Sequence, residues 1–68
     1  MNEDNLNMEI RKFLKKVGIS SQRIIENSIY VANNKGLIDN GDEIKIKMTL
    51  SINSLNIKNI ISGKINIE

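Results

Sequence analysis

The 68-residue sequence contains no cysteine, histidine, tryptophan or proline, and its only aromatic residues are one Phe and one Tyr. Without cysteine no disulfide can form, and without cysteine or histidine the usual ligands of structural zinc are missing, so the chain has neither of the staples common in small domains. The lack of histidine excludes hydrolytic triads and imidazole general-base catalysis, and the lack of cysteine excludes thiol nucleophiles. Carboxylates remain. Asp39, Asp42 and Glu43 crowd around Gly41, too tightly for a twelve-residue calcium loop with ligands at fixed positions, and they read as a turn. The expectation is a non-enzymatic protein with no metal, no cofactor and no small-molecule substrate.

So short a chain encloses one core at most and buries only about 60% of the surface that its unfolded form exposes. A single domain over residues 1–68 is expected, with oligomerisation as the remaining source of stability. Ten basic residues against eight acidic ones give a formal charge of +2, too mild and too mixed to draw nucleic acid or a membrane by bulk electrostatics. No apolar run approaches the roughly 20 residues that span a bilayer, and Met1-Asn2-Glu3-Asp4 is acidic where a signal peptide is basic. A cytoplasmic location follows as the expectation.

Leu6, Ile10, Phe13, Leu14 and Val17 recur at helical spacing and predict an amphipathic helix. Asn2 or Asp4 can cap its start, and Gly18 offers the left-handed residue that commonly ends a helix. Ser20 then reads as the cap of a second helix, with Ile19 and Ile24 placed as a hydrophobic staple. Its apolar stripe is Ile24, Ile25, Ser28, Ile29, Val31 and Ala32, and Gly36 stops it.

Asp39-Asn40-Gly41-Asp42 is a cluster of turn formers, after which the hydrophobic period falls to two. Ile44, Ile46, Met48, Leu50 and Ile52 alternate with Lys45, Lys47, Thr49 and Ser51, the pattern of a strand wet on one face. Asn53 to Asn56 reads as a turn, followed by a returning strand with Ile57, Ile61, Ile65 and Ile67 on one face. The expected fold is therefore α+β in the order ααββ: a two-helix hairpin packed on one face of a long two-stranded antiparallel β-hairpin. Both strands are then edges, and pairing edges across a two-fold axis predicts a homodimer. The competing reading is a monomer whose edges are protected by lysines.

Met8 and Tyr30 fall outside the helical stripes and are the candidate contact residues for a protein partner. Lys45, Lys47, Lys58 and Lys64 share the polar face of the hairpin, yet the strands hold no aromatic on which a base could stack, so the face reads as solvated.

Phe13 to Asn27 also has the outline of a DNA-binding helix-turn-helix, with Gly18 in the turn. In that alternative Ser21, Gln22 and Arg23 approach the major groove, and Lys15, Lys16 and Lys35 meet phosphates. Against it, Leu14 stands where the motif wants a small residue, Asn27 stands where it wants an apolar one, and no third helix completes the core.

The run Met1-Asn2-Glu3-Asp4, the stretch Ile10-Arg11-Lys12-Phe13-Leu14-Lys15-Lys16-Val17-Gly18-Ile19-Ser20-Ser21-Gln22-Arg23, and Lys47-Met48-Thr49-Leu50 resemble a family of short bacterial proteins of unknown function. The resemblance spans nearly the whole chain and is densest from Met1 to Glu26. It implies a small free-standing protein and brings no catalytic residue, cofactor or activity with it. Ile24 and the Asn-rich run after it depart from the charged pattern of that family. The combined expectation is a self-associating interaction or adaptor module.

Overall fold

The computed structural model describes all 68 residues, Met1 to Glu68. Helix α1 runs over Glu3–Asn34, and strands β1 (Glu43–Ile52) and β2 (Ile57–Asn66) follow it. The chain divides into two units, residues 1–37 and 38–68.

The first unit corrects the expected ααββ order to αββ. In place of a helical hairpin there is one uninterrupted helix of 32 residues, about 48 Å long at 1.5 Å per residue. Gly18 lies in its middle. A glycine there costs about 1 kcal/mol relative to alanine, but a break would leave up to four carbonyls and four N–H groups without helical partners. Ser20 as a cap could satisfy only one of these. No proline forces a break. The apolar rhythm also crosses Gly18 in phase, stepping by three or four residues through Phe13, Val17 and Ser20 to Ile24. Arg11, Lys12, Lys15 and Lys16 consequently lie within the helix.

Both real ends are capped as their residue types require. The Asn2 side chain accepts a hydrogen bond from the Asn5 N–H at 3.0 Å, with Glu3 and Asp4 in the positive first turn. At the other end Leu37 donates to the Ala32 carbonyl at 2.9 Å and Gly36 donates to Asn33 at 3.0 Å. Gly36 sits at φ 72, completing a Schellman motif.

The second unit is the antiparallel hairpin read from the alternation, with Ile44 opposite Ile65, Met48 opposite Ile61 and Ile52 opposite Ile57. Its tip is a single 3₁₀ turn over Asn53–Leu55, closed by Asn56 in the left-handed region at φ 56. Asparagine tolerates that region better than most residues. At the open end Gly41 donates to the Ile67 carbonyl and Ile67 donates to Asp42 at 2.8 Å, which extends the ladder into the Asp39–Asp42 turn. Asp42 tightens that turn by accepting from the Asp39 N–H through its carboxylate at 2.9 Å.

The expected hydrophobic core is absent: no side chain in the chain is buried. Neither unit can bury its apolar face within itself, because a single helix and a two-stranded ribbon each have only one layer.

Candidate interaction surface

On α1 the open apolar side chains form a seam. Leu6, Ile10, Phe13, Ile24 and Val31 are all exposed, and at about 100° per residue they fall within one side of the helix. The last turns carry a second apolar stripe. Ile25, Ile29 and Ala32 are half-buried, whereas Ile24, beside Ile25 in sequence, is 66% exposed. The two stripes therefore differ in cover, and the one holding Ile24 and Val31 is free.

The expected contact residues Met8 and Tyr30 are exposed, each at 61%. They lie on the side of α1 opposite the seam, together with Ile19, which is also exposed although the sequence places it in a hydrophobic staple with Ile24. These three positions are eleven residues apart, about 16 Å along the axis, so they form isolated spots and not a patch. The free seam was missed because its C-terminal half was assigned to a separate helix.

The helix-turn-helix alternative is corrected as well, since no turn separates Val17 from Ser21. Ser21, Gln22, Arg23, Lys15, Lys16 and Lys35 are distributed around one helix and its C-cap, and they share no face. Gln22 is already engaged, donating to Glu26 Oε1 at 2.8 Å. Ser28 donates to the Ile24 carbonyl at 2.7 Å, which satisfies its hydroxyl on the helix itself.

On the hairpin, Ile44, Ile46, Ile65 and Ile67 are half-buried, whereas Met48, Leu50, Ile52, Ile57 and Ile61 toward the tip are exposed. An open hollow of about 240 Å³ lies over Gly63, bordered by Ile46, Met48, Ile61 and Ile65. The opposite face carries the lysines. Lys45 stands directly across from Lys64, and Glu43 lies 3.7 Å from the Lys64 ammonium, which offsets part of that repulsion. The shallow depression beside it is lined by Glu43, Lys45, Lys47, Ser62 and Lys64 together with Ile46 and Gly63. No group of three or more potential metal ligands occurs. No helix is long and apolar enough to cross a membrane.

A long amphipathic helix followed by a one-faced β-hairpin, with apolar surface on both, defines a small α+β protein built without a self-contained core. The chain belongs to the family of unknown function DUF6494, whose model matches residues 1–68. No curated protein and no solved structure matches it.

Proposed function

We propose that the protein is a non-enzymatic, self-associating interaction module that functions as a homodimer. The observation that carries this reading is the exposure of its apolar side chains. Leu6, Ile10, Phe13, Ile24 and Val31 on α1, and Met48, Leu50, Ile52, Ile57 and Ile61 on the hairpin, all stand exposed to water, and a homodimer interface is a place where such side chains are withdrawn from it. Each Leu, Ile, Val or Phe fully withdrawn from water contributes about 1.5–3 kcal/mol. Leu6, Ile10, Phe13, Ile24 and Val31 are 40–66% exposed in the single chain, so each supplies about half of that against an association cost of about 4–15 kcal/mol.

The absence of imidazole and thiol groups and of any metal-ligand cluster supports a binding role over a catalytic one, and a cytoplasmic adaptor fits this set of properties. The test is thermal unfolding followed by circular dichroism over a hundredfold range of protein concentration. Association of folded chains raises Tm with concentration. A Tm independent of concentration would contradict the proposal.

A further inference from the structure

The side of α1 that carries Leu6, Ile10, Phe13, Ile24 and Val31, all exposed, and the half-buried Val17 repeats with a period that a straight helix does not require. Positions 6, 10, 13, 17, 20, 24, 27 and 31 alternate steps of four and three residues, and the chain is helical through all of them. In heptad terms one seam position is Ile10, Val17, Ile24 and Val31, β-branched each time, and the other is Leu6, Phe13, Ser20 and Asn27. A sustained seven-residue repeat is the pattern by which two helices wind around one another, and the first seam position is β-branched as in two-stranded parallel coils, whose second position is usually the Leu found here at Leu6.

Resting on the self-association proposed above, we infer that a second copy of this chain docks on this seam as a parallel, in-register two-stranded coiled coil. The occupant is another copy because the seam is self-complementary under a two-fold axis along the helix.

The polar seam residues decide the orientation. In the parallel, in-register arrangement Ser20 meets Ser20 and Asn27 meets Asn27, so each polar side chain has a polar partner. An antiparallel pairing that sets Phe13 against Ile24 places Asn27 against Ile10 and Ser20 against Val17, which leaves buried polar groups facing aliphatic ones. Gly18 lies outside the seam, and a β-carbon placed there would meet nothing within 4 Å.

Because the chain has no cysteine, single introduced thiols report single positions. Full-length Asn27→Cys and Ser20→Cys place a thiol in the seam, and Lys15→Cys places one on the opposite side of α1. Facing seam positions bring Cα atoms within the roughly 4.4–6.8 Å that a disulfide spans. On mild oxidation, the seam variants are expected to form covalent dimers at least tenfold faster than Lys15→Cys. Equal rates would overturn the inference, as would crosslinking confined to mixtures of Ile10→Cys with Asn27→Cys, the antiparallel signature. The molar mass of the unmodified protein separates the two levels. A dimer without seam crosslinks removes only the coiled coil, whereas a single-chain mass removes self-association itself.

Discussion

Ile46 stands directly opposite Gly63 in the hairpin, so one cross-strand position on the apolar face has a large side chain on one strand and none on the other. Nothing within the chain requires the glycine. Its φ is not positive, and a β-carbon there would meet no atom within 4 Å.

Gly63→Ala is therefore expected to stabilise the protein by about 0.5–1 kcal/mol, because alanine loses less backbone entropy on folding and has room in the folded state. Urea denaturation checks this. A loss of stability that grows with protein concentration would instead mean that another chain fills the hollow, moving the interface from α1 to the sheet.

Gly18→Ala distinguishes one helix from two. In a continuous helix with open space around Gly18, alanine should raise helical ellipticity and stabilise the fold by about 1 kcal/mol. Were Gly18 a left-handed helix end, the same substitution would destabilise by a similar amount.

The hairpin tip depends on Asn56 at φ 56 and on its N–H donating to the Asn53 carbonyl at 3.2 Å. Asn56→Ala is expected to cost about 1–2 kcal/mol, while Asn56→Gly, which adopts the same conformation freely, should fall within a few tenths of the parent. Equal effects of the two variants in urea titrations would remove the left-handed residue as the cause.

The hairpin was legible almost residue by residue. Strict alternation from Ile44 to Ile52, the Asn53–Asn56 turn and the face shared by Ile57, Ile61 and Ile65 all recur in the observed register. Asn2 and Gly36 were legible as helix ends for the same reason, since a side-chain acceptor and a positive φ are local requirements. Gly18-Ile19-Ser20 carries the same local signals, a stop followed by a cap, yet it lies inside a helix. The deciding information was non-local: Ile10, Val17, Ile24 and Val31 keep one seven-residue phase across the glycine. Once Ser20 was assigned as a cap, the free seam was cut in two. Met8 and Tyr30 then stand out as the large side chains off the helical stripes, although each is isolated.

Whether this chain completes its fold with a second copy is decided by sedimentation equilibrium. Over about 10–100 µM protein, the account predicts a molar mass twice the 7.7 kDa of one chain, falling toward the single-chain value on dilution. A folded, helical species that remains at the mass of one chain throughout that range would contradict it.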